Sequence, residues 1–269
     1  MSTSNRHFSL ALEALAELKT EIASPHFDAA QRKPSQPVPA TPTLSGVLAE
    51  IGPLPREALF LGIASDGLPL LLNLHDPVPG PMLIIGDAGS GKTAFLQTIA
   101  RSVAQTHAPT DVQFGVITKH PDEWGNMEAA PHRVEIFPSY HNSVQDFLLS
   151  LASWAHANKN ARQSVLLLID DLESVASLDL DALQNLRWLL LRGPSRRVWP
   201  IITLNASRYG QVLSWIQIFR TRIFGRIENE RVAAALGGDK ASALDQLQAG
   251  IQFSLRENGN WLRFWLPGI

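Results

Sequence analysis

The sequence predicts an α/β fold: a mainly parallel central sheet flanked by helices, with β-hairpin additions and a tethered N-terminal helix. Three observations predict it. Apolar runs such as Val165 to Ile169 and Ile201 to Leu204 are continuous, not alternating, as expected of strands covered on both faces. Helical periodicity recurs between those runs, the order that builds parallel sheets. The stretch Gly86-Asp87-Ala88-Gly89-Ser90-Gly91-Lys92-Thr93 fits G-x-x-x-x-G-K-[ST]. It lies between the apolar run Met82-Leu83-Ile84-Ile85 and a helical pattern of Ala94, Phe95, Leu96, Ile99 and Ala100, the strand-loop-helix context a phosphate-binding loop needs.

The elements follow in order. Residues 1–23 read as an amphipathic helix, with Phe8, Leu12, Leu15, Leu18 and Ile22 on one stripe. Residues 24–43 contain Pro25, Pro34, Pro37, Pro39 and Pro42, a linker composition. The first helix is therefore tethered, and it docks either on its own domain or on a partner or neighbouring subunit. From residue 44 to 269 one domain is expected. Ala58 to Ile63 and Leu68 to Leu72 read as a hairpin turned at Asp66-Gly67. After the loop and its helix, strands are expected at Val112 to Thr118 and Arg133 to Phe137. A helix is expected at Val144 to Ala157, then strand Val165 to Ile169, helix Leu180 to Leu191 and strand Pro200 to Leu204. Arg222 to Gly225, Ile251 to Leu255 and Trp261 to Leu266 complete the set, the last two joined across Glu257-Asn258-Gly259-Asn260. Trp261 and Trp265 alternate with Leu262, Phe264 and Leu266, so that strand reads as buried on both faces, with a subunit interface as the second reading.

Composition narrows the classes. An apolar share of 45% suffices for a core, and 23 basic against 25 acidic residues leave a net charge of −2. That argues against a surface that grips nucleic acid everywhere while permitting a local basic stripe. Zero cysteines rules out disulfides and thiolate metal sites. No apolar run is long enough to span a bilayer, and Glu13, Glu17 and Glu21 break any signal-peptide pattern. The expectation is a soluble, cytoplasmic protein.

The loop's chemistry is concrete. Its glycines let backbone N–H groups turn inward as an anion nest, helped by the partial positive charge of the helix N-terminus. Gly86 to Ala94 form the expected nucleotide cradle, Lys92 reaching the β- and γ-phosphates and Thr93 offering its hydroxyl to Mg²⁺. Val165-Leu166-Leu167-Leu168-Ile169-Asp170-Asp171 is a buried strand delivering acids at its C-terminal end. Asp170 is the expected metal ligand beside Thr93 and Asp171 the residue that orients attacking water, with Glu173 as the alternative. Asn205 ends another buried run, and two readings stand for it: a γ-phosphate sensor or a helix cap. Arg192, Arg196 and Arg197 form a basic loop that either contacts phosphates or is simply solvated. His120, Asp122, His132 and His141 match no metal-ligand spacing.

The order of phosphate loop, acid strand, polar-ended strand and Arg-rich tail resembles the FtsK/HerA group of RecA-like motor ATPases, including its type VII secretion relatives. Phe219-Arg220-Thr221-Arg222-Ile223-Phe224-Gly225-Arg226, Ala235-Leu236-Gly237-Gly238 and Leu247-Gln248-Ala249-Gly250 carry the likeness. Leu61-Gly62, Asp66-Gly67 and the segment Ile117 to Trp124 add to it. The resemblance implies a RecA-like fold, ATP and Mg²⁺ as ligands, and a homo-oligomer, a hexameric ring with ATP between subunits. It also implies that ATP turnover drives double-stranded DNA or a secreted polypeptide through the ring, and that an arginine of one subunit completes the next subunit's site. Arg222 matches the family's tail arginine, with Arg197 and Arg226 as further candidates. Three departures stand out. Asp171 replaces the usual Glu, Asn205-Ala206-Ser207 replaces the Gln-bearing motif, and Lys119-His120 replaces the Asp usual after the strand ending at Thr118. Neither a membrane anchor nor a winged-helix DNA reader is expected from these residues. The departures support a rival expectation: a nucleotide-dependent scaffold or regulatory module with vestigial hydrolysis.

Overall fold

The computed structural model describes residues 42–127, 129–158, 162–175, 178–257 and 259–268. The expected N-terminal helix and all but the end of the proline-rich linker lie outside the described residues. The chain enters with helix α1 (Leu44–Ile51), capped by the Thr43 hydroxyl, which accepts the Gly46 N–H at 3.2 Å. Its apolar residues Leu44, Val47 and Leu48 pack with Phe60 and Ile63. This helix was not expected; the Thr43 cap followed by apolar residues spaced three and four apart is the signal that marks it.

Among the described residues, ten strands make one sheet in the order β2-β1-β10-β9-β8-β3-β7-β6-β4-β5. They are β1 (Ala58–Ala64), β2 (Pro69–Asn73), β3 (Met82–Gly86), β4 (Val112–Thr118) and β5 (Arg133–Pro138). The remaining five are β6 (Ser164–Ile169), β7 (Val198–Asn205), β8 (Thr221–Phe224), β9 (Gln252–Glu257) and β10 (Asn260–Trp265). From β8 to β5 all neighbours run parallel, whereas β2, β1, β10 and β9 pair antiparallel. The β1–β2 turn uses Gly67 at φ 86°, with the Asp66 carboxylate accepting the Leu68 N–H at 3.0 Å, an Asx-type local bond.

Alternate residues of the buried strands feed opposite cores, as a two-sided sheet requires. Leu83 and Ile85 of β3 with Val165, Leu167 and Ile169 of β6 face helices α3 (Ser143–Ala157) and α4 (Leu180–Arg192). Met82, Ile84, Leu166 and Leu168 face helix α2 (Lys92–Thr106), whose Phe95, Leu96 and Ile99 are fully buried. Each such side chain contributes about 1.5–3 kcal/mol relative to exposure.

Strand β10 corrects an expectation. Phe264 alone of its residues is buried, while Trp261, Leu262 and Trp265 are partly exposed and Arg263 is open. The strand's register puts Phe264 under α2 through Phe95, whereas Trp261 lies on the other face against Phe224. That second face is covered by helix α1 around Trp265 and by helix α5 (Glu230–Leu236) with the turns after it around Trp261, and its burial stays incomplete. Among the described residues, no helix is long and apolar enough to cross a membrane.

Candidate functional site

The phosphate loop leaves β3 and enters α2 as its sequence context requires. Gly89 at φ 73° and Gly91 at φ 95° hold the left-handed turns. Gly91 admits no side chain: a Cβ there would sit 2.5 Å from the Gly250 carbonyl oxygen. Gly250 in turn donates its N–H to the Ser90 carbonyl at 3.1 Å, so the Leu247–Gly250 segment closes over the loop. On the other side, Asp87 N–H donates to the Arg226 carbonyl at 2.9 Å, and the Asp87 carboxylate accepts the Glu228 N–H at 2.8 Å. Two segments remote in sequence thus clamp the loop.

Lys92 is buried, and its Nζ donates to the carbonyls of Gly86 at 3.1 Å and Asp87 at 2.9 Å. Burial lowers its pKa, opposed by the nearby Asp171, Asp170, Glu173 and Asp87 carboxylates. Ser90 Oγ is buried with no hydrogen-bond partner, an unsatisfied group in a cradle of amides. Such groups favour an oxyanion ligand that accepts their hydrogens.

The acids arrive from β6, which is not β3's neighbour. Strand β7 lies between them, pairing Ile84 with Thr203 on one side and Ile169 with Ile202 on the other. Two strand spacings put β3 and β6 about 10 Å apart, and helix α2 crosses the gap. Thr93 Oγ donates to Asp170 Oδ2 at 2.8 Å. Thr203, with no exposed surface, donates its hydroxyl to Asp170 Oδ1 at 2.7 Å and accepts the Asp171 N–H at 2.7 Å. Burial raises the Asp170 pKa, while the Thr203 and Thr93 hydroxyls pull it down. A hydroxyl and a carboxylate at this spacing form the donor set of a hard divalent cation that keeps most of its waters.

Asp171 holds a left-handed backbone at φ 76°, uncommon for a residue with a side chain. Its carboxylate lies 4.0 Å from Lys119 Nζ, and both side chains are partly exposed. Glu173, two residues on, has a nearly buried carboxylate 3.5 Å from Arg208. Its Oε2 has no hydrogen-bond partner and its pKa is raised, chiefly by burial. Asn205 sits opposite Gly86 in the register. Its Oδ1 accepts the Ser207 N–H at 3.2 Å and the Ser207 hydroxyl at 3.0 Å, so it caps the turn that follows.

Lys92, Thr93, Asp170, Asp171 and Asn205 thus converge at the C-terminal ends of β3, β6 and β7, whereas the guanidinium groups of the three arginine candidates bond elsewhere. Arg222 gives Nη1 to the Leu236 carbonyl at 2.9 Å and Nη2 to the Ile216 carbonyl at 3.2 Å. Arg197 precedes β7 and bonds the Leu74 carbonyl at 3.1 Å. The eight residues of β7 put it about 25 Å from the cradle. Arg226 touches the loop through its carbonyl, and its guanidinium pairs with Glu228 at 3.2 Å. Sequence reasoning missed Thr203 and Lys119. A Thr inside an apolar strand is the one available hint for the first; Lys119 had been noted only as a departure. His132 is buried against the His107 carbonyl at 2.9 Å, and among the described residues no three His, Asp or Glu side chains gather as a metal cluster.

Strand order and cradle together define a RecA-like P-loop NTPase domain. Residues 61–175 match the FtsK/SpoIIIE family. A stretch of 66 residues is 35% identical to the ESX secretion system protein EccC of Thermomonospora curvata, covering 23% of this chain and 5% of that protein. The fold is similar to T. curvata EccC ATPases 2 and 3 in complex with a signal sequence peptide. There the TM-score is 0.67 at 15% identity, over 89% of this chain and 45% of that one. EssC ATPases 2 and 3 from Geobacillus thermodenitrificans give a TM-score of 0.70 at 14% identity, over 87% and 48%. The conjugation coupling protein TcpA of pCW3, in monomer form with ATPγS, gives 0.58 at 15% identity, over 79% and 66%. The chain spans about half or less of the EccC and EssC structures it resembles.

Proposed function

We propose that this chain binds Mg·ATP in the cradle and hydrolyses it to move a polymer as a subunit of a cytoplasmic oligomer, a hexameric ring. The carrying observation is the 2.8 Å contact of the Thr93 hydroxyl with Asp170 at the mouth of a loop whose Lys92 is buried among amides and carbonyls. Gly86 to Ala94 direct N–H groups at the phosphates. Lys92, freed from the Gly86 and Asp87 carbonyls, places its charge on the β- and γ-phosphates. Thr93 and Asp170 would hold Mg²⁺, which neutralises charge developing on the transferring phosphoryl group. Asp171 or Glu173 orients the attacking water, and Asn205, beside Gly86, senses the γ-phosphate with the amide nitrogen its cap leaves unused.

An arginine of the neighbouring subunit completes the site. Arg197, whose guanidinium gives one hydrogen bond among the described residues, suits that role better than Arg222, whose guanidinium gives two. The near-neutral charge and the stretch of identity with EccC support a polypeptide over double-stranded DNA as the polymer. Lys119 beside Asp171 favours one other reading, a nucleotide-dependent scaffold with slow hydrolysis, because it pairs the water-orienting acid with a competing cation.

The test is ATP turnover together with solution mass in MgATP, for wild type and Lys92→Ala. An oligomer whose turnover disappears in Lys92→Ala is expected. A monomer that binds ATP without turnover selects the scaffold, and no binding of MgATP at millimolar concentration overturns both.

A further inference from the structure

A second charged cavity lies away from the cradle. A cleft of about 370 Å³ opens on the sheet face under α5, lined by Phe219, Arg220, Arg222, Phe224, Arg256 and Trp261 among others. Its volume is in the range of small-ligand pockets, about 300–1,000 Å³. The sheet register explains the gathering of cations. Arg222 and Arg256 each stand one residue beyond the paired Ile223 and Leu255, and Arg256 is paired directly with Trp261 on β10. Arg220 lies two residues earlier, just before β8. Like charges on adjacent strands repel, yet the described residues lining the cleft include no carboxylate. Among the described residues, neither Arg220 nor Arg256 takes part in an ion pair.

Arg222 is held rigid by the Leu236 and Ile216 carbonyls. Trp261 is fixed too, its Nε1 donating to Asp239 at 2.8 Å and its ring edge-on to Phe224 at 5.6 Å. The cleft therefore combines a preset guanidinium, two exposed guanidinia free to close, and an aromatic wall. A single carboxylate leaves two of the three charges uncompensated. A terminal phosphate carries about −1.5 to −2, so two joined phosphates match the cleft, and guanidinium forks fit their oxygens bidentately.

We propose that this cleft is a second, regulatory site for a nucleoside polyphosphate, with its phosphates on Arg220, Arg222 and Arg256 and its base against Trp261. The site is independent of the phosphate loop, which lies beyond the opposite ends of these strands.

Lys92→Ala protein, whose loop no longer competes, is titrated calorimetrically with inorganic pyrophosphate and with ADP. One saturable site per chain is expected, ADP binding more tightly than pyrophosphate. Affinity should drop tenfold or more when Arg220→Gln and Arg256→Gln are added. Arg256→Lys alone, which keeps the charge and loses the fork, should weaken binding severalfold and serves if the triple variant does not fold. Absence of saturable binding in Lys92→Ala, or affinity unchanged by either set of substitutions, overturns the site. Hexaglutamate binding as tightly as pyrophosphate overturns the polyphosphate assignment, and pyrophosphate binding as tightly as ADP overturns the base contact. Wild-type turnover reads the cradle separately, so failure here leaves the proposed ATPase untouched, and the reverse.

Discussion

Thr203 ties the two acids of the site together, and its removal has a calculable consequence. In Thr203→Val the shape of the side chain is kept and only the hydroxyl is lost. The 2.7 Å bond to Asp170 Oδ1 disappears, and the Asp171 N–H loses its 2.7 Å acceptor. A hydrogen bond to a charged group contributes about 1.5–3 kcal/mol, and a buried donor left without a partner costs about 1–3 kcal/mol. Valine's added methyl returns up to about 1 kcal/mol at this fully buried position, so the net loss is about 1.5–5 kcal/mol. For a domain of this size that is a melting point lower by roughly 3–20 °C. The positioning role adds a signature that stability alone does not. With one lowering influence gone, the Asp170 pKa climbs further, so the acid limb of the turnover–pH profile moves to higher pH. Thr203→Ser restores the hydroxyl and should restore the wild-type limb while losing about 1 kcal/mol of packing. Urea unfolding and the pH dependence of kcat read the two effects. A Thr203→Val protein with wild-type stability and an unmoved acid limb refutes the bridging role.

Asp171→Asn should retain MgATP binding and lose turnover by about two orders of magnitude or more, the scale of a lost general base; normal turnover moves the role to Glu173, tested by Glu173→Gln. Gly91→Ala should abolish nucleotide binding, since its Cβ meets the Gly250 carbonyl at 2.5 Å and φ is 95°; calorimetry showing wild-type affinity contradicts the closed loop. Burial raises the pKa of both Asp170 and Glu173 in the folded nucleotide-free protein. Their contribution to stability is therefore full below the ordinary carboxylate range and is lost as pH rises through the raised values. Glu173→Gln should flatten that decline in urea midpoints, and an unchanged slope excludes Glu173 as a source.

The cradle was legible because its chemistry is contiguous: Gly86 to Thr93 needs only its own backbone and the helix behind it. The alternation of Leu83 and Ile85 against Met82 and Ile84 likewise follows from strand period alone, so the two-sided sheet could be read without knowing its order. Other features needed neighbours in space. Nothing in the local pattern says that β7 inserts between β3 and β6, and that insertion alone places Thr203 between the two acids. In sequence Arg222 matched the family's tail arginine, and only the tertiary structure shows the carbonyls ending two short helices that hold it. Trp261 looked buried because apolar residues stand on both faces of its strand, yet the elements on its side of the sheet are too short to cover it.

Local pattern decided which residues can hold a triphosphate, since a glycine-rich loop, a lysine and a hydroxyl act within one turn of chain. Strand pairing decided which acid meets that hydroxyl and which arginines share a cleft. Those contacts join residues up to 77 positions apart, and side-chain direction there is set by register, which no short window of sequence encodes.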